Sequence, residues 1–167
     1  AKRTLPIGHE LKTHLAENDV EAVVGQWNRL RVRLVPLDLD EPGSWKKALP
    51  VAQDLTKSGD ARLSLGTVIS DWDATRNAQW SPIGLRRMIG EAERKLRKIA
   101  EAAGSEPHGV HATIGAVGAG IIEIAMQVEA DLIVLASHKP GMRDHLIGAN
   151  ALHVVRHAPC SVFVVRE

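Results

Sequence analysis

The chain has 167 residues, 44% of them hydrophobic and 25% charged, which is the size and composition of one compact domain with its own core. Its 21 Lys and Arg residues nearly cancel its 20 Asp and Glu residues, so the net charge argues against nucleic acid or an anionic membrane as the partner. The single cysteine, Cys160, excludes an internal disulfide, and we expect a reducing, cytoplasmic location.

The longest apolar stretches, such as Leu132 to Ala136 and Val162 to Val165, are short. A transmembrane helix needs roughly 20 apolar residues. The first residues also lack the apolar core of a signal peptide. We therefore expect that this stretch of chain does not cross a membrane. Because it begins at Ala1, we leave open whether it was cut from a longer protein.

Residues 1–30 do not share the pattern of the rest of the chain. Two short amphipathic helices are predicted there, over Glu10 to Ala16 and over Val20 to Trp27, with Asn18 or Asp19 as the cap of the second. An arm packed on the main domain, a tag or linker, and a tether to another module or protomer all fit this segment. We expect residues 31–167 to form the main domain. The apolar face of the second helix carries Val20, Val23, Val24 and Trp27.

From Arg31 onward, short apolar runs alternate with stretches of helical period, which is typical of βα units and a parallel sheet. The first strand is predicted over Arg31 to Leu37 and stops at Asp38. Ser44 is the expected N-cap of the helix that follows. The apolar positions of that helix recur at i, i+3, i+4 and i+7, namely Trp45, Ala48, Leu49 and Ala52.

The second strand is predicted over Arg62 to Ile69. A polar connection follows from Ser70 to Ser81, with Trp72 and Trp80 in it. A long amphipathic helix comes next. Its polar face carries Glu91, Arg94, Lys95 and Lys98, and its apolar face carries Leu85, Met88, Ile89, Ala92, Leu96, Ile99 and Ala100.

The third strand is predicted near His108 to Ile114, and Gly115 leads into a helix. The fourth strand, Leu132 to Ala136, is apolar at consecutive positions, as expected of a strand covered on both faces at the centre of the sheet. A short helix over Ala149 to His157 and a fifth strand over Ser161 to Val165 follow. This alternation predicts an α/β domain with a doubly wound, five-stranded parallel sheet of Rossmann-like type. The helix after Gly115 should bury Ile121, Ile124, Ala125 and Val128.

In a doubly wound sheet the ligand lies outside the carboxyl ends of the strands where the winding reverses, because the two flanking loops diverge there. The flanking loops in this chain are Asp38 to Glu41, after the first strand, and Ser137 to Asp144, after the fourth. The second loop leads to a helix start at Gly148. Backbone N–H groups and the helix dipole attract phosphate at such a start. A nucleotide site at this edge of the sheet is compatible with this pattern, although the spacing is not specific for it, because any βα turn is expected to contain Gly and polar residues.

Three segments in the last third of the chain resemble the universal stress protein family: Ala130 to His138, Leu146 to Ala151 and Val154 to Val165. The resemblance extends more loosely to the first strand, which ends in Val-Pro-Leu-Asp at Asp38 where that family has Val-Pro-x-Asp. It covers residues 31–167 and leaves the N-terminal arm outside.

That resemblance implies a sheet of order 3-2-1-4-5, dimerisation, a role in the stress response and, in one branch of the family, ATP binding through a Gly-x2-Gly-x9-Gly-Ser/Thr loop. This chain departs from the loop pattern, because Ala136 stands at the first glycine, Lys139 at the second and Ala149 at the hydroxyl residue. The loop of this chain is also one residue shorter before Gly148. A branch with Ser-His-Arg-Pro in the loop and Gly-Ser-Asn at the helix start is more similar and is also associated with ATP. Losing the hydroxyl removes one potential phosphate contact, worth about 0.5 to 1.5 kcal/mol net, or more when the acceptor is charged.

Carried over position by position, the resemblance implies that Asp38 faces the adenosine end of the ligand and that the main chain around Val68 lies beside the base. The implied ligand is ATP, with AMP or ADP as alternatives and Mg²⁺ as a companion. The structural alternatives are a turn cap for Asp38, a plain helix start for Gly148 and solvated loop charges for Lys139 and Arg143. The positions implied around the ribose and phosphates are Ala136, Ser137, His138, Lys139, Gly148 and Asn150.

Other motifs favour structural roles. His153 and His157 have the i, i+4 spacing of metal ligands, but Val-Val-Arg lies between them and we predict no metal site. The segment Gly115 to Gly120 lacks the G-x-G-x-x-G order of a dinucleotide fingerprint, so a tight turn with close packing is favoured. Cys160 is expected to be a packing thiol. Since no Ser-His-Asp set or Walker-type lysine motif stands out, we predict a protein that is not an enzyme, with slow ATP hydrolysis as a lower-ranked alternative.

The sequence leaves two functions open. One is an ATP-binding regulatory protein in which ligand occupancy changes the contacts of a dimer or of a partner protein. The other is a nucleotide-independent dimeric scaffold, or the cytosolic module of a larger protein such as a transporter. The last strand, Ser161 to Val165, is apolar and predicted at the sheet edge, where the same strand of a second copy would cover it. We expect a charge at Val164 to weaken that homodimer.

Overall fold

The computed structural model describes residues 30–41, 43–57, 61–77, 81–137 and 148–166. The two helices predicted before Leu30 lie outside these ranges, as do Trp80 and most of the loop that follows the fourth strand. The prediction of Ser44 as an N-cap is wrong, because the first helix begins one residue earlier, at Gly43, and Ser44 lies within its first turn.

The described residues form five strands and six helices. In chain order these are β1 (Val32–Pro36), α1 (Gly43–Lys46), α2 (Ala48–Lys57), β2 (Arg62–Ile69), α3 (Asp71–Asn77), α4 (Pro82–Ala102), β3 (Gly109–Ile114), α5 (Val117–Gln127), β4 (Leu132–Ser137), α6 (Ala149–His157) and β5 (Ser161–Arg166).

The strands form one sheet of order β3-β2-β1-β4-β5, and every neighbouring pair is parallel. This confirms the predicted doubly wound sheet of order 3-2-1-4-5. The expectation that the fourth strand lies at the centre is wrong, because β1 is the middle strand and β4 is next to the edge. β1 carries Arg31 and Arg33 around its amino end and is therefore less uniformly apolar than β4, although it is equally buried.

Two apolar clusters fill the two faces of the sheet. On one face α2 and α4 contribute Leu49 and Leu96, and on the other α5 and α6 contribute Ile124 and Val154. Residues 132–135 of β4 alternate between the two clusters, which explains why all of them are apolar. Fully burying one such side chain contributes about 1.5 to 3 kcal/mol. The two-sided core holds the carboxyl ends of the strands in fixed relative positions.

The helix predicted after β1 is divided into α1 and α2 at Lys47. Pro50 lies in the first turn of α2 and has no N–H to bond the carbonyl of Lys46, so one continuous helix would lose a backbone hydrogen bond there. Starting a new helix at Ala48 places this proline in the first turn, where a missing N–H costs little.

The connection after β2, predicted as a polar loop, contains α3. The Ser70 hydroxyl accepts the N–H of Asp73 at 3.1 Å and donates to the carboxylate of the same residue. Asp71 and Asp73 also place negative charge in the first turn of the helix. Capping and charge stabilise this short helix, which has no apolar period. The feature by which the longer helices were predicted is therefore absent here.

The long helix α4 begins at a residue that caps it. Ser81 has extended backbone, its Oγ accepts the N–H of Gly84 at 3.1 Å, and Pro82 occupies the first helical turn. Gly104, with φ of 60°, follows its end. In the ranges that the structure describes, no helix combines the length and apolar character needed to cross a membrane.

Candidate ligand crevice

The crevice opens where β1 and β4 part. β1 pairs with β2 along its whole length, up to Pro36 opposite Gly66. Its pairing with β4 covers only two residue pairs, Arg33 with Leu132 and Leu34 with Ile133. The chain leaves β1 toward α1 and leaves β4 toward α6, which cover opposite faces of the sheet. The space between these exits is the switch point of the doubly wound sheet.

A crevice of about 1230 Å³ occupies this position. Its walls come from the β1 exit, the ends of β2 and β4, one side of α4, and the starts of α5 and α6. The described lining residues are Pro36, Leu37, Asp38, Leu39, Asp40, Glu41, Thr67, Val68, Ile69, Ser70, Asp73, Ser81, Ile83, Gly84, Arg87, Met88, Glu91, Ala92, Lys95, Val117, Ile121, Leu135, Ala136, Gly148, Ala149, Asn150 and Ala151.

Asp38 stands at the mouth of the crevice, directly after β1, and its side chain is exposed. Its Oδ1 accepts the N–H of Asp40 at 3.0 Å, which closes a short turn. The N–H of Leu37 donates to the carbonyl of Gly66 at 2.7 Å and holds the strand exit against β2. Asp38 therefore has the turn-capping role that was its structural alternative, and it also lines the crevice.

The amino end of α6 forms the opposite side of the crevice. Gly148 is the N-cap residue with extended ψ of 151° and, as a glycine, has no side chain of its own to cap the helix. A Cβ built on Gly148 would meet nothing within 4 Å among the described residues. Packing within the described chain therefore does not require glycine here, but a ligand that approaches the backbone closely would. Ala149 and Asn150 are exposed in the first turn.

The remaining predicted site residues are only partly placed. Val68 and Ala136, at the ends of β2 and β4, line the crevice. Ser137 ends β4, but its side chain lies outside the described part. His138 and Lys139 are also outside the described residues. The phosphate loop therefore stays a prediction from the family resemblance.

Sequence reasoning missed the wall that α4 contributes. Arg87, Glu91 and Lys95 line the crevice, and Arg87 Nε lies 3.0 Å from Glu91 Oε1. The helical period assigned Glu91 and Lys95 to a polar face but gave no indication of what that face meets. Only the tertiary arrangement brings it toward the β1 exit.

The described walls carry more negative than positive side chains. Arg87 and Lys95 are the cations, and both lie on α4. The carboxylates are Asp38, Asp40, Glu41, Asp73 and Glu91. A polyanionic ligand bound here would need additional positive charge from the loop before Gly148 or from a metal ion.

The other motifs have structural explanations. The rings of His153 and His157 lie 4.4 Å apart, and Nδ1 of His157 is 2.9 Å from the backbone oxygen of His153. Within the described ranges, no three His, Cys, Asp or Glu side chains are grouped to hold a metal ion. A Cβ on Gly118 would come within 2.8 Å of His153, and one on Gly120 within 2.8 Å of Val68, so these glycines permit close packing of α5.

The architecture is that of a doubly wound α/β protein with a ligand-sized crevice at its switch point. The sequence model of the universal stress protein family matches residues 31–166. The chain therefore belongs to the universal stress protein family.

Known proteins with similar sequence or structure agree with this assignment. Universal stress protein G of Shigella flexneri is 36% identical over 78 residues, which are 46% of this chain and 55% of that protein, so the match spans about half the length of this relative. The solved universal stress protein UspA from Lactobacillus plantarum is 25% identical, with a TM-score of 0.56 over 83% of this chain and 99% of that one. A universal stress protein described as a complex with cAMP is 21% identical, with a TM-score of 0.54 over 82% of this chain and 97% of that one, and supports the fold.

Proposed function

We propose that this chain is a regulatory protein of the universal stress type that binds an adenine nucleotide in the crevice. Ligand occupancy then changes its contacts with a second copy of the chain or with a partner protein. The observation that carries the proposal is the convergence of Asp38, Val68, Ala136, Gly148 and Asn150 on one crevice at the switch point. A protein of the same fold is described in complex with cAMP, which supports an adenine nucleotide as the ligand class.

The two sides of the crevice suit the two ends of such a ligand. The β1 and β2 side offers the carboxylate of Asp38 as a hydrogen-bond acceptor and the end of β2 as an apolar edge for the base. The α6 side offers a helix start at Gly148, where backbone N–H groups and the helix dipole favour an anion. This arrangement orients the base toward Val68 and the phosphates toward Gly148.

The excess of carboxylates among the described walls predicts how the affinity depends on ligand charge. AMP or cAMP brings one or two negative charges, whereas ATP brings about four. Lys139 and Arg143 belong to the loop before Gly148 and are the protein groups available for the added charge. We therefore expect ATP binding to depend on Mg²⁺ much more strongly than AMP binding does.

The first test is to denature the freshly purified protein and identify the released small molecules by mass spectrometry. Calorimetric titration with ATP, AMP and cAMP, with and without Mg²⁺, then measures the affinities. Wild type should bind at least one of these nucleotides below millimolar concentration. No released nucleotide, together with no heat at millimolar ligand, would exclude the proposal.

Two substitutions at Asp38 separate its two roles. Asp38→Asn keeps an oxygen for the N–H of Asp40 and removes the charge, whereas Asp38→Ala removes both. If the carboxylate contacts the ligand, both variants should lose about tenfold or more in affinity, since one hydrogen bond to a charged group is worth about 1.5 to 3 kcal/mol. Glu123→Gln on the exposed surface of α5 is the control and should bind as wild type does. Wild-type affinity in Asp38→Asn would restrict the role of this residue to the turn.

A nucleotide-independent scaffold is the second candidate function. Ala149 at the hydroxyl position of the loop favours it, because one phosphate contact is absent. Exposed apolar side chains on α6 and β5, namely Leu152, Val155 and Phe163, also favour it, because they offer a surface for a second chain. Neither function assigns a catalytic role to any residue, and the proposal is of a binding protein rather than an enzyme.

A further inference from the structure

His153 and His157 form a pair of imidazoles on α6 that the proposed function does not use. Both residues are exposed, their ring centroids are 4.4 Å apart, and the angle between the ring planes is 33°. The sequence predicts no metal site at this pair, because Val-Val-Arg between the two histidines supplies no carboxylate. Two contacts of the rings, which the spacing alone does not reveal, now favour a metal ion.

The first contact fixes the proton of His157. Its Nδ1 lies 2.9 Å from the backbone oxygen of His153. A carbonyl oxygen accepts hydrogen bonds but has no proton to donate, so Nδ1 carries the proton and donates it. In the neutral ring the lone pair is therefore on Nε2. Metal-binding histidines usually donate their other ring N–H in this way, to a carboxylate or to a backbone carbonyl.

The second contact holds the ring of His153. A Cβ on Gly118 would lie 2.8 Å from Cδ2 and 3.0 Å from Cγ of this histidine. Gly118 is buried in the first turn of α5, and its missing side chain leaves the space beside the Cγ–Cδ2 edge of the ring. A side chain that is already held by its neighbours loses less conformational entropy when it binds a ligand. The start of α5 thus preorganises His153.

We propose that His153 and His157 together bind one divalent transition-metal ion of the Zn²⁺, Ni²⁺ and Cu²⁺ class. Imidazole nitrogens suit these ions, whereas Mg²⁺ and Ca²⁺ prefer oxygen ligands. Two Zn–N bonds of about 2.1 Å span at most about 4.2 Å. Rings whose centroids are 4.4 Å apart need only small side-chain rotations to place one nitrogen each on the same ion. Zinc enzymes use the same i, i+4 spacing on one helix.

With two protein ligands, the proposed site exchanges its metal ion with the solution. Among the described residues, no third His, Cys, Asp or Glu side chain joins the pair. Closed structural zinc sites have four protein ligands, so the remaining positions here are left to water. The inference does not depend on nucleotide binding, because the two histidines lie in the second and last turns of α6 and do not line the crevice.

The test is calorimetric titration of the full chain, carrying no histidine tag, with Zn²⁺, Ni²⁺ and Cu²⁺. Wild type should bind all three at submillimolar concentration, with Cu²⁺ the tightest, and an excess of Mg²⁺ should not compete. His153→Asn and His157→Asn should each weaken binding about tenfold or more, because each variant leaves a single imidazole. His108→Asn, at an exposed histidine directly before β3, is the matched control and should bind as wild type does.

NMR of the imidazole nitrogens identifies the ligating atoms. Zn²⁺ should shift the Nε2 signal of His157 and a ring-nitrogen signal of His153, and should leave the signals of His108 unchanged. The proposal is overturned if no ion of the three binds at millimolar concentration, or if both α6 variants bind as His108→Asn does. It is also overturned if only one of the two α6 variants loses affinity, since a shared ion requires both rings. Equal urea midpoints of the three variants show that none of these results comes from unfolding.

Discussion

Two glycines within helices show how differently the same residue can be used. Gly120 lies on the buried side of α5, where a Cβ would come within 2.8 Å of both methyl carbons of Val68 and 3.0 Å of Thr113. Gly90 lies within α4, and its Cβ would meet nothing closer than Arg94 Nη1 at 3.9 Å. The first glycine lets α5 approach β2 and β3 closely, whereas the second only weakens its helix.

The alanine variants of these two positions should therefore change stability in opposite directions. Gly120→Ala is expected to lose about 1 to 3 kcal/mol through overpacking, and Gly90→Ala to gain about 0.5 to 1 kcal/mol through higher helix propensity. Because Val68 also lines the crevice, Gly120→Ala should weaken nucleotide binding while Gly90→Ala should not. Urea denaturation and calorimetry measure both effects, and equal stability of the two variants would contradict the packing interpretation.

Cys160 is the only thiol of the chain, and it is half-buried. Burial and, secondly, the charge of Asp131 raise the pKa of Cys160 from about 9 to about 11. Since the thiolate is the reactive form, iodoacetamide should modify native protein at pH 8 much more slowly than protein unfolded in urea.

The same pKa shift predicts a pH dependence of stability. The folded-state pKa is the higher one, so the folded protein binds more protons between pH 9 and 11, and stability should fall as pH rises through that window. Cys160→Ala removes this group and should flatten the decrease in the urea midpoint over the same range. An identical decrease in the variant would show that other groups cause it.

Strands and helices with a clear apolar period can be predicted from the sequence, whereas helix ends and short helices that depend on local polar contacts are missed. β2, β5 and α6 were predicted within one residue at each end, and α4 and α5 were predicted by their apolar positions without bounds, because each has one consistently apolar face. α3 was missed because Ser70 and Asp73 stabilise it by capping, and the break at Lys47 was missed because Pro50 was not weighed. Neither leaves an apolar signature.

The candidate site likewise contains residues whose position the sequence predicts and a helix wall that it does not predict. The position of Asp38 and Gly148 follows from topology, since a doubly wound sheet must place the exits of β1 and β4 beside each other. The contribution of α4 could not be predicted, because which side of a helix faces a crevice depends on its packing angle and not on its period. The burial of Arg33 could not be predicted either, because a charged residue in a strand is expected to be exposed until the position of that strand in the sheet is known.

At the scale of the whole molecule, the open question is how the edge of the sheet at β5 is covered. β5 lies at the end of the sheet, and in the described residues it pairs only with β4. An uncovered apolar edge invites uncontrolled pairing, and a two-fold contact between identical strands closes it. Phe163, 36% exposed on this strand, is the large apolar side chain best placed for such a contact.

The structure changes which residue tests this homodimer. Val164, chosen from the sequence, packs against the cluster under α5 and α6, so a charge there would disturb the core as well as the edge. Phe163→Lys is the sharper variant, and Met126→Lys, at a 63% exposed apolar residue on α5, is the matched control.

If β5 forms the interface, Phe163→Lys should reduce the molecular mass measured by light scattering from two chains to one at micromolar concentration, because it places two like charges across the two-fold axis. Met126→Lys should leave the mass unchanged. A dimer that persists in Phe163→Lys while the protein stays folded would place the interface elsewhere. Repeating the measurement with saturating nucleotide distinguishes the two proposed functions. Occupancy of a crevice bordered by α6 should shift the dimer dissociation constant if the protein is regulatory, and should leave it unchanged if the protein is a scaffold.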